Sequence, residues 1–71
     1  MENYVSIVLP THNEEKNIIP IIQEIVKENN QYNIEIIVVD DNSIDGTEKL
    51  IREFSKKDSR VRLISKYAVY G

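Results

Sequence analysis

A β-branched apolar run that ends in two adjacent aspartates constrains the fold of this chain most. Residues 36–39 read Ile-Ile-Val-Val, and Asp40 and Asp41 follow directly. Four consecutive apolar residues leave no polar face, which is typical of a strand buried on both sides in a parallel sheet. The two acids then stand at the carboxyl end of the strand, the edge at which open α/β sheets bind ligands. The repulsion between adjacent carboxylates destabilises the fold unless a binding partner offsets it. We therefore expect a binding edge here.

Two further strands are predicted on either side of this central strand, which we place at 34–39. The first spans 4–9 and ends at Pro10, because proline donates no hydrogen bond to a sheet ladder. The third spans 61–64, where apolar residues alternate in part with arginine. Residues 66–71 are predicted to form a loop.

Two amphipathic helices are predicted between these strands. The first follows Asn17, a residue favoured at the N-cap, and its apolar stripe is expected to be core. The second follows Asp45 as cap, with Glu48 three residues later as a variant of the capping box. The stripe of the first helix comprises Ile18, Ile21, Ile22, Ile25 and Val26, and the buried face of the second comprises Leu50, Ile51 and Phe54.

The resulting β-α-β-α-β order predicts an α/β fold with a three-stranded parallel sheet and right-handed crossovers. Continued winding in one direction gives the strand order 3-2-1, with both helices on one face of the sheet. The other face is then bare, although the first two strands carry apolar residues on both sides. We therefore expect further chain or a partner subunit to cover it.

Composition excludes several classes of protein. A net charge of −3 argues against nucleic acid as a partner, and the absence of cysteine excludes disulfides and thiolate metal sites. The apolar runs are far shorter than the roughly 20 residues that span a bilayer, and the first residues lack the features of a signal peptide. The expected compartment is the cytoplasm, with any contact to the inner face of the membrane made through segments outside this chain.

The loops that follow the first two strands indicate what kind of ligand the edge accepts. Residues 10–15 contain two acids and no glycine, which excludes the Gly-x-Gly-x-x-Gly turn that lets a backbone approach a pyrophosphate. A P-loop is also absent. Carboxylates instead accept hydrogen bonds from a base N–H or from ribose hydroxyls. We expect residues 10–15 and 40–43 to hold a base and its ribose.

Three stretches of the chain resemble the opening of a family 2 glycosyltransferase. They are Val-Ser-Ile-Val-Leu-Pro-Thr-His-Asn-Glu-Glu at 5–15, Ile-Ile-Val-Val-Asp-Asp-Asn-Ser-Ile-Asp-Gly-Thr at 36–47, and Arg-Val-Arg-Leu-Ile at 60–64. The run at 13–18 is most similar to the polyprenol-phosphate branch, the dolichol-phosphate mannosyltransferase type. The resemblance implies the N-terminal part of a Rossmann-like GT-A fold, a UDP- or GDP-sugar as donor and an acceptor such as polyprenyl phosphate.

The resemblance also implies a nucleoside pocket lined by five residues. Pro10, His12 and Glu14 come from the first loop, and Asp40 and Asp41 come from the end of the second strand. The family usually has tyrosine where His12 stands, and an imidazole can still stack on a base. By the same resemblance, Asp40 lies beside the ribose or base, and Asp41 accepts from the base N–H. No catalytic residue and no metal ligand is assigned within the chain.

The Asp-x-Asp metal motif of the family lies further downstream, and no Asp-x-Asp occurs in these 71 residues. We therefore expect residues 1–71 to be a partial nucleotide-sugar-binding domain that lacks the acceptor half. In the intact enzyme Mg²⁺ or Mn²⁺ would be bound by residues outside this chain, which should not catalyse transfer alone. The alternative that stays open is a non-catalytic truncated remnant or an interaction module.

Other readings of the acidic loop fit less well. Asp41, Ser43 and Asp45 match the first half of an EF-hand loop, but Arg52 stands where a bidentate glutamate is required. A receiver-type signalling domain would carry its acid pair after the first strand, not the second. Aspartates also serve as plain turn and cap residues. Glu15 is expected to be solvated.

Overall fold

A computed structural model of the chain describes residues 4–66. The elements follow the predicted order of strands and helices, which is therefore confirmed. They are β1 (Tyr4–Thr11), α1 (Ile18–Glu28), β2 (Asn33–Asp41), α2 (Thr47–Lys57) and β3 (Val61–Lys66). Of the loop expected at 66–71, Lys66 belongs to β3, and the rest lies outside the described residues.

The three strands form a parallel sheet in the order β1-β2-β3, with β2 in the centre. The predicted order 3-2-1 is the same arrangement, counted from the opposite edge of the sheet, and is confirmed. In the register, Thr11 lies beside Asp40, and Asp41 lies beside Lys66. All three strands therefore end at one edge of the sheet, and the loops that follow β1 and β2 emerge side by side.

The hydrophobic core lies between one face of the sheet and the two helices. Strand alternation turns every second residue of β2 toward the helices, and those side chains are buried. Full burial of each such aliphatic side chain stabilises the fold by roughly 1.5–3 kcal/mol. The buried apolar residues are Ile18 and Ile22 of α1, Ile34, Ile36 and Val38 of β2, Ile51 of α2 and Val61 of β3.

The apolar stripe of α1 is confirmed as core except at Ile21, which is 37% exposed. Ile22 is fully buried, and helical geometry places Ile21 about 100° around the axis from it. Ile19 is only about 60° from Ile22 by the same geometry, and it packs against the core instead. The stripe is thus centred nearer to Ile19 than the sequence spacing indicated.

The sheet face opposite the helices carries exposed apolar side chains. Tyr4 and Val8 of β1 are each 62% exposed, and Ile64 of β3 is 51% exposed. Ile37 and Val39 of β2 are half-buried on the same face. The predicted bare face is therefore confirmed, whereas burial of β2 on both sides does not occur within residues 4–66.

All three strands continue beyond their predicted ends, and β3 extends to Lys66. Pro10 lies inside β1, opposite Val39, and does not terminate it. Within the described sheet β1 is an edge strand paired only with β2, and proline is tolerated on an edge. Strand β2 continues through Asp40 and Asp41, so these two acids belong to the strand itself. Successive strand residues point to opposite faces of the sheet. The side chains of Asp40 and Asp41 therefore have different surroundings.

The helix starts differ from the predicted caps in their side-chain contacts. Asn17 occupies the N-cap position of α1, but its side chain makes no capping hydrogen bond. Gly46, not Asp45, is the N-cap residue of α2, and Oδ1 of Asp45 accepts from the Thr47 N–H at 2.9 Å. Glu48 does not complete a capping box, because its carboxylate accepts from the hydroxyl of Ser65 at 3.0 Å. Neither α1 nor α2 is long and apolar enough to cross a bilayer.

Candidate functional site

The loops after β1 and β2 are joined to each other by hydrogen bonds at the carboxyl edge of the sheet. The Asn13 N–H donates to Oγ of Ser43 at 2.8 Å, and the Ile44 N–H donates back to Oδ1 of Asn13 at 2.9 Å. Closer to the helices, the Glu14 N–H donates to Oγ1 of Thr47 at 2.9 Å. The two loops therefore form one joined surface.

Asp40 lies beneath this surface, on the core side of the sheet. It shares a face of β2 with Ile36 and Val38, and its side chain is fully buried. Its Oδ1 accepts from the hydroxyls of Thr11 at 2.7 Å and Ser43 at 2.6 Å, and its Oδ2 accepts from the Ser43 N–H at 2.9 Å. Both oxygens of the carboxylate therefore accept hydrogen bonds from other residues of the chain.

The hydrogen bonds to Asp40 favour its charged form. Burial acts to raise the pKa of Asp40, but hydrogen bonds from Ser43 and Thr11 outweigh that effect and hold the pKa below its ordinary value. A carboxylate that accepts several donors is expected to be ionised at neutral pH. The structure therefore places a buried negative charge directly under the joined loops.

Asp41 projects from the opposite face of β2 and is exposed. No partner among residues 4–66 engages its carboxylate. Its backbone carbonyl accepts a hydrogen bond from Nδ1 of His12 at 2.6 Å. Asp41 is therefore the member of the acid pair that offers a free acceptor at the edge of the sheet.

The His12 ring is held by hydrogen bonds on both nitrogens. Since Nδ1 donates to the Asp41 carbonyl, Nε2 is the acceptor, and the Asn13 side-chain amide lies 3.2 Å from it. The ring is exposed. Because both ring nitrogens already have partners, a ligand can contact the His12 side chain through the π faces of its imidazole. Pro10, also exposed, lies two residues before it at the end of β1.

The two glutamates of the first loop have different surroundings. Glu14 is half-buried, and its carbonyl accepts from the Ile18 N–H at 2.8 Å, which begins α1. Glu15 is exposed as predicted but not simply solvated, because its Oε1 accepts from the Gly46 N–H at 2.9 Å. A Cβ placed on Gly46 would lie 2.1 Å from that oxygen. The Glu15 carboxylate would therefore have to move if residue 46 carried a side chain.

The sequence interpretation missed the residues that join the loops. Thr11, Asn13, Ser43 and Thr47 all make contacts across the two loops, and none was singled out as a site residue. One signal was available: asparagine tolerates the left-handed conformation better than most residues. Asn13 and Asn42 adopt it, with φ of 51° and 54°.

The described residues do not fit a magnesium or manganese site. No group of three or more histidine, aspartate or glutamate side chains within residues 4–66 is placed to hold a metal ion. Asp40 and Asp41 face opposite sides of the sheet, and the oxygens of Asp40 are already engaged. By the same finding, residues 4–66 contain no ligand set for the calcium loop that was considered from the sequence.

The geometry collects four of the five predicted residues at an accessible edge and places the fifth beneath it. Pro10, His12 and Asp41 are exposed, Glu14 is half-buried, and Asp40 is covered. The β-α-β-α-β unit with this edge is of the Rossmann-like α/β class, as expected of the N-terminal part of a GT-A fold.

Comparison with known proteins identifies the family. The sequence model of glycosyl transferase family 2 matches residues 6–67, and the chain belongs to that family. It is 38% identical over 64 residues to glycosyltransferase GlyG of Streptococcus pneumoniae, covering 90% of this chain and 21% of the relative. It is 35% identical over 71 residues to the dolichyl-phosphate beta-glucosyltransferase ALG5C of Trichomonas vaginalis, with the same 90% and 21% coverage.

A third relative is an uncharacterized protein of Methanocaldococcus jannaschii, 40% identical over 50 residues, covering 70% of this chain and 20% of the relative. The chain thus spans about a fifth of the length of the curated relatives it matches. The matched region contains both loops of the candidate edge.

Proposed function

We propose that this chain binds the nucleoside of a UDP- or GDP-sugar at the carboxyl edge of its sheet, as the nucleotide-binding part of a family 2 glycosyltransferase. The observation that carries the proposal is the free, exposed carboxylate of Asp41, on the same residue whose backbone carbonyl holds the exposed His12 ring. A free carboxylate acceptor and an exposed π face together match a nucleobase, which presents N–H donors along its edge and a flat surface above its ring. The family of the chain supports this assignment.

Each residue of the edge has a distinct proposed role. The carboxylate of Asp41 accepts from a base N–H, and the His12 ring stacks on the base. Pro10 borders the pocket on the side of β1. Glu14, which is half-buried, accepts from the base or from a ribose hydroxyl. Because the edge presents carboxylates, the diphosphate is directed away from it.

The remaining chemistry is proposed for the whole protein, since this chain spans about a fifth of its relatives. Two of them are dolichyl-phosphate beta-glucosyltransferases by name, which supports a polyprenyl phosphate as the acceptor of the glycosyl group. Mg²⁺ or Mn²⁺ would neutralise the diphosphate leaving group. Residues 4–66 supply no ligand set for that ion, so its ligands are assigned to chain outside this range.

Isothermal titration of the 71-residue chain with UDP and with GDP tests the proposal. We expect measurable binding of one of the two, and we expect Asp41→Asn to weaken it about tenfold, because a hydrogen bond to a charged group is replaced by one to a neutral group. Glu24→Gln is the matched control. It removes the same charge from the exposed surface of α1, where residues 4–66 provide no partner, and it should leave the affinity unchanged.

Two results would count against the proposal. Binding of neither nucleotide by the wild-type chain would favour the alternative, an interaction module or a remnant without activity. Equal weakening by Asp41→Asn and by Glu24→Gln would show that net charge, rather than the edge of the sheet, governs the binding.

A further inference from the structure

We infer that Asp40 is a positioning residue which sets the His12 ring for the nucleoside and does not contact the nucleoside itself. The inference rests on the proposed function, since the ring it positions is a proposed ligand contact. It differs from the role implied by the family resemblance, which placed Asp40 beside the ribose or base. The reasons are the burial of its carboxylate and a series of hydrogen bonds that connects it, through Ser43 and Asn13, to His12.

Asp40 is poorly placed to meet a ligand. Its side chain is fully buried, on the face of β2 opposite the exposed Asp41. Its two oxygens already accept three hydrogen bonds, from Thr11 and from the hydroxyl and N–H of Ser43. A ribose hydroxyl would have to displace one of these internal donors to reach the carboxylate.

The first step of the series fixes the direction of the Ser43 hydroxyl. A hydroxyl has a single hydrogen, and Ser43 donates it to Oδ1 of Asp40 at 2.6 Å. Its oxygen lone pairs are then available to accept, and they receive the Asn13 N–H at 2.8 Å. An amide in place of the carboxylate offers one acceptor fewer, so at least one of its three present donors loses its partner.

The second step carries this constraint from Ser43 to His12. Asn13 has a left-handed backbone, with φ of 51°, which costs energy for any residue with a side chain. Its N–H is held by Ser43, and its Oδ1 is held by the Ile44 N–H at 2.9 Å. The preceding residue is His12, whose ring lies against the Asn13 amide and the Asp41 carbonyl. The turn at Asn13 therefore directs the ring.

The same carboxylate also shapes the second loop. Its Oδ2 accepts from the Ser43 N–H, which closes a turn through Asn42, another left-handed residue with φ of 54°. That turn immediately follows Asp41, whose carbonyl accepts from His12. Asp40 thus acts on both the donor and the acceptor of the hydrogen bond that fixes the ring.

The test is a double-mutant cycle in the 71-residue chain that combines Asp40→Asn with His12→Ala. We expect Asp40→Asn alone to weaken binding of UDP or GDP about tenfold. In the His12→Ala background the same change should weaken it less than twofold, because the ring it positions is gone. A tenfold loss that persists without the imidazole would mean that Asp40 contacts the nucleoside or acts by another route, and would overturn the inference.

Amide NMR without nucleotide tests the structural part independently of binding. In Asp40→Asn we expect a dispersed spectrum in which the amides of Ser43 and Asn13 shift and exchange faster with solvent. If wild-type chain binds neither nucleotide, the proposed function fails along with the role of Asp40 in it, while this measurement still reports on the series. Unmoved Ser43 and Asn13 amides would overturn the inference even if the nucleotide binds.

A second variant keeps the inference testable if Asp40→Asn does not fold. Ser43→Ala removes the intermediate hydroxyl and leaves the carboxylate bonded to Thr11 and to the residue 43 N–H. We expect it to expose the Asn13 amide and to weaken nucleotide binding only when His12 is present. An unchanged Asn13 amide and an unchanged affinity in Ser43→Ala would contradict the series of hydrogen bonds.

Discussion

Ile36 and Ile37 are neighbours in β2 that face opposite sides of the sheet, and truncating each to alanine should have very different effects. Ile36 is fully buried between the sheet and the helices, whereas Ile37 is half-buried on the open face. Removing a buried isoleucine leaves a cavity and costs about 2–5 kcal/mol. On the open face the cost is about 1 kcal/mol, set largely by the lower strand preference of alanine.

The expected difference is large relative to the stability of the whole chain. A chain of 71 residues is stabilised by roughly 4–11 kcal/mol, so Ile36→Ala removes a substantial share. Urea unfolding followed by circular dichroism measures both changes, and Ile36→Val, at about 0.5–1.5 kcal/mol, replaces Ile36→Ala if that variant is unfolded. An Ile37→Ala variant that loses as much stability as Ile36→Ala would refute the assignment of a covered and an open face.

Two further predictions concern the joined loops. Gly46→Ala should displace the Glu15 carboxylate, because the new Cβ would lie 2.1 Å from Oε1. The substitution should cost less than about 1 kcal/mol of unfolding free energy, since the displaced group is the end of a flexible side chain. Urea unfolding that shows a loss of several kcal/mol would contradict this. The pKa values of Asp40, Asp45 and Asp58 lie below the ordinary 3.8 because of hydrogen bonds from Ser43, Thr47 and Arg60 respectively. Their contribution to stability is therefore fully present above about pH 5 and is lost as the pH falls below that, so urea midpoints that do not decline between pH 5 and pH 2.5 would refute it.

The order and type of the elements were predictable because local patterns specify them. The β-branched composition of the short run at 36–39 favours a strand, and the apolar spacing from Ile18 to Val26 favours a helix. The strand ends were not predictable in the same way. Proline is excluded from the interior of a central strand but tolerated on an edge, and the sequence pattern around Pro10 does not show that β1 has one neighbour.

The position of the acid pair at the end of β2 was predicted, but the direction of each side chain was not. Asp40 and Asp41 were placed correctly at the carboxyl edge, yet ending the strand at Val39 concealed that they face opposite sides. Once β2 is extended by two residues, the two-residue period of a strand assigns Asp40 to the core face and Asp41 to the open face. Their different surroundings follow from that alternation.

The contacts between the loops lay beyond what the sequence could indicate. Glu15 and Gly46 are 31 residues apart, and so are Ile44 and Asn13. Such pairs meet only because parallel β1 and β2 end at the same edge in a particular register. A shift of one residue in that register would turn Asp40 and Thr11 away from each other.

The central claim is that the carboxyl edge of this sheet binds a nucleoside, and a two-dimensional amide NMR titration of the 71-residue chain tests it most directly. UDP and then GDP are added with Mg²⁺ present. We predict a dispersed spectrum in which one nucleotide shifts the amides of His12, Glu14 and Asp41 and leaves those of the helix faces in place. A dispersed spectrum that neither nucleotide changes, or one whose shifts fall away from this edge, would contradict the claim.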